Sequence, residues 1–440
     1  MRKPRGDVFT ALNFLVMGVG CAARGQVAKG LLLLAGQASY IFFLLSFGLR
    51  YLSEFLTLGN NEQYTVWNEE LQINQVITGD NSMLILLFGI LTVAVTILFV
   101  YVYIINIRFG FKALQMKNEG QPLPTFREDL KTLWNDKYHL VLLTLPTLGL
   151  LILTVLPLIF MISMAFTNFD RDHQPPGKLF TWVGFENFKE ILWSNPRKSQ
   201  TFLSVLGWTL IWAVSATTTC YFGGMALALL INRKGVRFKK MWRAFFAITI
   251  AVPQFVSLLL MRQFLNDNGT LNNMLLNLEL IEAPIRFLTS DLARVTVIVV
   301  NLWVGVPYTL LITTGILMNI PADLYESARI DGASPFVMFR KITLPYMLFV
   351  TAPYLITQFA GNINAFNVIF LLTNGNPRSI EYYQAGKTDL LITWLYRQTV
   401  DEQDFKLAST IGIIIFFIIG TLSLISFNLF ASKKREDEFS

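Results

Sequence analysis

The sequence predicts an all-α membrane protein with about eight transmembrane helices, on three observations. The 440-residue chain is 53% hydrophobic and only 15% charged, with a mean hydropathy of +0.50, too apolar for a water-soluble protein of this length. Apolar runs of roughly 20 residues, enough to cross a bilayer as a helix, recur near 31–49, 83–107, 140–166, 203–231, 244–264, 292–318, 347–372 and 409–432. Basic residues concentrate on alternate connections, with 23 of the 36 Lys and Arg on one set and 11 on the other, which puts both termini in the cytoplasm.

In chain order, residues 1–30 form a cytoplasmic segment carrying Arg2, Lys3, Arg5, Arg24 and Lys29. No small-residue cleavage site follows the first apolar core, so the first span is expected to be retained. Within this segment 7–22 is apolar enough for an interfacial helix, and ordinary surface structure fits equally. Residues 31–107 read as a two-span hairpin whose outer loop is acidic, with Glu54, Glu62, Glu69, Glu70 and Asp80 against Arg50. A charged linker, 108–137, contains Pro122 and Pro124 and separates this hairpin from a six-span core, 138–432. The outer loops 167–202, 265–291 and 373–408 can hold short helices or a docking surface, not an independent domain. The loop 232–243 carries six basic residues, and a basic tail, 433–440, closes the chain. This distribution explains the net charge of +7 by topology, without nucleic acid. Cys21 and Cys220 are too isolated for a disulfide framework or a zinc site.

No residues for nucleotide chemistry stand out. Ala385-Gly-Lys-Thr388 resembles the end of a phosphate-binding loop, but Glu381 occupies the required glycine position and the topology puts the segment outside. His139 and His173 lack partners at metal-ligand spacing, and no nucleophile and base converge. The chain is therefore expected not to be an enzyme, and any energy for transport must come from a partner.

Polar residues at membrane depth are the informative ones, because an unpaired amide in hydrocarbon costs several kcal/mol. Asn301, Val304, Gly305 and Tyr308 fall at i, i+3, i+4 and i+7 and share one helix face. That face suits a sugar: an amide to donate and accept, a glycine for close approach, and a tyrosine ring with a polar tip. A small-residue helix contact with Asn301 bonding across it fits the same spacing. Pro307 is expected to open the helix and free a carbonyl. The span 347–372 carries Gln358 and Asn362 on one side and Asn364 and Asn367 on another, and only one pair is expected to face substrate. Gln254, after Pro253, is a further intramembrane amide. Carboxylates are nearly absent from the expected membrane core, which counts against ion coupling.

Between the sixth and seventh spans lies a polar island, 326–345, on the side assigned to the cytoplasm. It reads as two short helices meeting at a turn: Pro321 suits a first helical position, Gly332 a left-handed helix end, and Pro335 the next helix start. Such an elbow offers a shape for docking, and an ordinary solvated connector remains the alternative.

The island resembles the cytoplasmic loop of ABC-importer permeases: Glu-Ala-Ala, three residues, Gly, nine residues, Ile, one residue, Leu-Pro. Glu326, Ala328, Gly332, Ile342, Leu344 and Pro345 fit at full spacing, and Ser327 replaces the middle alanine. Ala251-Val-Pro253, Asn301-Leu-Trp-Val-Gly-Val-Pro-Tyr308, Leu371-Leu-Thr-Asn-Gly375, Ala385-Gly-Lys-Thr-Asp-Leu-Leu391 and Gln403-Asp-Phe405 extend the resemblance to permease subunits of the MalF type for maltose and maltodextrin. The resemblance implies a type I ABC-importer (MetI-like) permease fold, with two N-terminal helices added to a six-helix core. The loop 319–346 would then be the coupling loop, received by a cytoplasmic ATPase subunit. Implied partners are a second permease subunit of the MalG type, two copies of a cytoplasmic ABC ATPase that bind ATP and Mg, and an extracellular or periplasmic sugar-binding protein. This chain itself would hold no cofactor.

In the family, sugar is held by three core helices, at positions that here are Ile250 and Gln254, then Asn301, Val304, Gly305 and Tyr308, then Gly361, Asn362 and Ala365. Ile250 and Gly361 stand for aromatics, Ala365 for an amide and Gln254 for a serine, which implies a wider, less stacked pocket suited to longer oligosaccharides. The loop 167–202 is short where enteric relatives insert a folded domain. Competing readings are a permease for another neutral sugar or glycerol phosphate, and an ion-coupled secondary sugar transporter.

Overall fold

The computed structural model describes residues 7–233 and 235–437. Arg2, Lys3, Arg5, Lys234 and residues 438–440 of the expected basic segments lie outside the described residues, as do the side chains of Lys433, Lys434 and Arg435. Among the described residues seven helices are long and apolar enough to cross a bilayer: Val27–Glu54, Ser82–Asn118, Tyr138–Met164, Pro196–Asn232, Ala293–Leu317, Pro335–Ile363 and Phe405–Ile425. The bent pair Lys239–Ala251 and Gln254–Phe264 makes an eighth, fifth in chain order. The chain is a multi-pass membrane protein. Packing divides it into two compact units, one up to Gly184 and the other from Phe185 onward.

In the first unit, buried polar pairing fixes the N-terminal segment. Two short helices, Val8–Leu12 and Val19–Ala22, precede the first span. Asn13 Nδ2 donates to the carbonyl of Asn106 and Asn106 Nδ2 donates back to that of Asn13, both at 3.1 Å, while Arg24 is buried and donates to Asp7, Thr10 and Gly110. Gly18 is left-handed (φ 84°) and a Cβ there would lie 2.0 Å from the Gly30 carbonyl oxygen, so only glycine allows this approach. The segment 7–22 is thus folded onto the second span.

Two features of this unit depart from expectation. The acidic outer loop contains an antiparallel β-hairpin, Tyr64–Asn68 against Ile73–Ile77, a small exception to the all-α pattern. The β-branched and aromatic run Tyr64-Thr-Val-Trp67 favours strand, and Asp80 closes the hairpin base by accepting from the amides of Asn60 and Asn61. Those two donors hold the Asp80 carboxyl below its usual range. The linker 108–137 is largely helical, because the second span continues to Asn118 and a further helix, Phe126–Trp134, is started by a Thr125–Glu128 capping box.

In the second unit the fourth span (Pro196–Asn232) packs along the sixth (Ala293–Leu317) through small residues. A Cβ on Gly224 would lie 2.7 Å from Thr309 Cβ and 2.8 Å from the Leu310 amide nitrogen, so the two backbones touch. Trp208, Trp212, Ala216, Leu258, Val297, Ile369 and Leu390 form a core around the N-terminal halves of this pair. In the connection between the seventh and eighth spans, buried Asp389 lies 3.3 Å from Arg397, accepts from the Gly386 amide and from Thr393, and so ties the turn at Gly375 to the helix Leu391–Val400.

Candidate functional site

One cavity of about 400 Å³ in the second unit has Gln254, Asn301, Val304, Gly305, Tyr308 and Asn362 on its walls, with Ile250 and Gln358 beside them. The first wall is the break in the fifth span. That span, expected as one helix over 244–264, stops at Ala251, turns by 90° and restarts at Gln254. The cause is local: Val252 is extended (φ −79°, ψ 126°), as a residue before proline prefers, and Pro253 has no amide to donate. Backbone freed in this way is tolerated at membrane depth where it faces a cavity, and Thr249 through Gln254 line this one. Gln254 is the first helical residue after the break.

The second wall is the sixth span, where the Asn301 face makes the small-residue helix contact and also borders the cavity. Asn301 is buried and its Nδ2 lies 3.4 Å from Cys220 Sγ on the fourth span, so it bonds across the helix pair at the cavity edge. A Cβ on Gly305 would fall 2.4 Å from Cys220 Sγ, so the space left by that glycine is filled by the neighbouring helix. Tyr308 is half exposed toward the cavity, its ring 6.3 Å from that of Tyr354. Pro307 does not open the helix, which runs unbroken from Ala293 to Leu317, and Thr309 Oγ1 donates to the Gly305 carbonyl at 3.0 Å. Gly305→Ala is expected to destabilise the protein by about 1–3 kcal/mol through overpacking, with much of the loss recovered in Gly305→Ala/Cys220→Ala. Thermal unfolding in detergent reads this; an unchanged midpoint for the single variant would mean that the crossing is looser.

The third wall is the end of the seventh span. Asn362 Nδ2 donates to Thr217 Oγ1 at 2.9 Å, and Trp212 Nε1 donates to the Asn362 carbonyl at 3.1 Å. The helix ends at Ile363, where the amides of Asn364 and Ala365 close i→i+3 bonds, and a short helix restarts at Phe366. The expected single span over 347–372 is therefore broken. Gln358 and Asn362 line the cavity, whereas Asn364, Asn367, Gly361 and Ala365 do not. Thr217, Cys220, Trp303 and Tyr354 are lining residues that sequence reasoning missed. The run Ser215-Ala-Thr-Thr-Thr-Cys220, polar at membrane depth, was the available signal for the first two.

Every side chain on the cavity wall is uncharged, which leaves amides, hydroxyls and aromatic rings as the available chemistry. That set can hydrogen-bond hydroxyl groups and offers nothing to neutralise an anion. A larger cavity of about 740 Å³ on another side of the sixth span is lined by Phe245, Phe264, Phe287, Trp303 and aliphatics, with little capacity for hydrogen bonds.

The elbow lies at the other end of the seventh span. The helix Ala322–Ile330 starts one residue later than expected, with Pro321 as its N-cap. It closes with a Schellman pattern: the Ala333 amide donates to the Ala328 carbonyl at 2.9 Å, the Gly332 amide to that of Arg329 at 3.0 Å, and Gly332 is left-handed (φ 79°). Ser334 caps the next helix and Pro335 begins it. That second helix is not a separate short element. It passes through a π-turn at Phe339–Thr343 into the seventh span, so the second arm of the elbow and the residues Gln358 and Asn362 belong to one continuous rod, Pro335–Ile363. Glu326, Ser327, Gly332 and Pro345 are exposed; Ala328, Ile342 and Leu344 are partly buried. Ile342 and Leu344 pack with Tyr325 and Phe339 against Tyr221, Met225 and Met347, and Tyr325 Oη lies 2.8 Å from Thr343 Oγ1. Ile330 and Phe336 stand out from the bend, 87% and 69% exposed.

Residues 221–436 match the family model described as "Binding-protein-dependent transport system inner membrane component". The chain is 35% identical to the galactooligosaccharides transport system permease protein GanP of Bacillus subtilis, over 96% of this chain and 97% of that one. It is also 35% identical to the maltodextrin transport system permease protein MdxF of the same organism, over 94% and 93%. Among solved structures, a chain of a bacterial ABC transporter involved in the import of the acidic polysaccharide alginate has the same fold (TM-score 0.57, 24% identity, 69% of this chain and 98% of that one).

Proposed function

The chain belongs to the family of binding-protein-dependent transport system inner membrane components, and from that premise we propose that it forms, with a second permease subunit of the MalG type, the membrane path for neutral maltodextrin-type oligosaccharides. The observation that carries this reading is the uncharged cavity in which Gln254, Asn301, Val304, Gly305, Tyr308 and Asn362 meet. Two cytoplasmic ABC ATPase subunits receive the elbow at Glu326–Pro345, and a sugar-binding protein delivers the substrate from outside. Because the second arm of the elbow and the third cavity wall share one rod, displacement of that arm by closing ATPases moves Gln358 and Asn362 against the sixth span. Net transport requires that ATP favour one access state over the other, since a ligand that binds both equally shifts nothing. Both termini face the cytoplasm in this reading.

A second reading, galactooligosaccharides, is favoured by the likeness to GanP, which equals that to MdxF in identity. Uptake of labelled maltotriose, maltotetraose, a galactooligosaccharide and glycerol phosphate by cells with and without the gene decides between them. Loss of maltodextrin uptake alone is expected. Loss of glycerol phosphate uptake would overturn the neutral-sugar assignment.

A further inference from the structure

A second polar cavity, of about 390 Å³, lies in the first unit, where the start of the first span, the end of the second and the residue before the third come together. Lys29, Lys112 and Lys137 all border it. The one carboxylate on its wall, Asp129, lies 2.8 Å from Lys29 Nζ, and Lys29 also sits 4.0 Å from the centroid of the Phe109 ring. Lys112 and Lys137 are exposed and make no ion pair among the described residues, so the cavity carries an excess of positive charge. Its remaining wall is mostly apolar, with Met116, Leu123, Leu130 and Leu133.

Two observations place this cavity at the membrane surface. The helix Phe126–Trp134 exposes Phe126, Leu130, Leu133 and Trp134, spaced i, i+4, i+7 and i+8, as a helix lying in the interface does. Trp134 is also paired with Tyr138 at 6.2 Å between ring centroids, and Trp and Tyr concentrate at headgroup depth. A cation-rich cavity with an apolar wall at that depth matches a ligand with a phosphate head and hydrocarbon tails. We propose that it is a binding site for an anionic phospholipid, with the phosphate held by Lys112 and Lys137 and the acyl chains laid along Leu130 and Leu133. A zwitterionic lipid brings its own cation and gains less from the same lysines. Bound lipid would fasten the connecting helix to the bilayer, with Lys29 and Asp129 holding it to the first span.

The test is native mass spectrometry of the full-length chain, delipidated in mild detergent and titrated separately with dioleoylphosphatidylglycerol, dioleoylphosphatidylcholine and inorganic phosphate. Phosphatidylglycerol should bind preferentially. Lys112→Gln/Lys137→Gln should weaken it about twenty-fivefold, at roughly fivefold per surface lysine. Lys112→Arg/Lys137→Arg should retain it, since the charge is kept. Both lysines are exposed, so neither pair of substitutions disturbs packing. Equal retention of the two lipids, or undiminished phosphatidylglycerol binding by the glutamine variant, would overturn the proposal. Tight binding of inorganic phosphate without a lipid preference would make this a free-anion site and would overturn the lipid assignment.

Discussion

Gly332→Val is expected to abolish stimulation of the ATPase by the loaded binding protein, and with it uptake, while the protein still inserts in the membrane. Gly332 has φ 79°, and a left-handed conformation costs a side-chain-bearing residue about 1–2 kcal/mol. Nothing crowds the position, since a Cβ there would meet no atom within 4 Å, so the effect is one of backbone conformation. The bend between the helix Ala322–Ile330 and the rod beginning at Pro335 depends on that conformation. Opening it turns the exposed Ile330 and Phe336 away from their present positions. Gly332→Asn separates shape from surface, because asparagine tolerates the left-handed region, and it should retain most of the coupling. Vanadate-sensitive ATP hydrolysis by the reconstituted complex is the measurement. Wild-type stimulation in the valine variant would remove the elbow from the coupling mechanism.

Asn301→Ala/Tyr308→Ala is expected to raise the half-saturation concentration for maltodextrin uptake by roughly thirtyfold, about 2 kcal/mol for one lost hydrogen bond and one lost aromatic contact. The fold should tolerate the change. Asn301 pairs with the thiol of Cys220, a weak donor and acceptor that is inexpensive to leave unpaired, and Tyr308 is half exposed. Basal ATP hydrolysis should stay near wild type, because neither residue touches the elbow. Transport assays across a concentration range in proteoliposomes read the shift, and an unchanged uptake curve would sink the assignment of this face to substrate.

Much of this fold was legible because a bilayer constrains sequence so strongly. Hydrocarbon requires about 20 apolar residues per span; the spans marked at 203–231 and 409–432 each fall within one long helix, and 292–318 overruns its helix, Ala293–Leu317, by one residue at each end. The elbow was legible because Gly332 and Pro335 carry backbone restrictions that act locally. Hydropathy could not show that the fifth span bends by 90° at Val252-Pro253, nor that the seventh ends at Ile363, because a broken apolar segment has the same composition as a whole one. The β-hairpin at 64–77 was missed for a different reason: it lies in a loop read only for its charge.

By itself the sequence determined that the chain crosses a membrane repeatedly, which segments do so, where the elbow turns, and which amides had to be kept out of lipid. Each follows from the properties of single residues against a fixed solvent. Only the tertiary structure decided which amides share a cavity, that the space at Gly305 is filled by Cys220, and that the elbow's second arm and the third cavity wall are one rod. Those are relations between helices far apart in the chain, set by the close approach of the fourth and sixth spans at Gly224, and no periodicity within one segment encodes them.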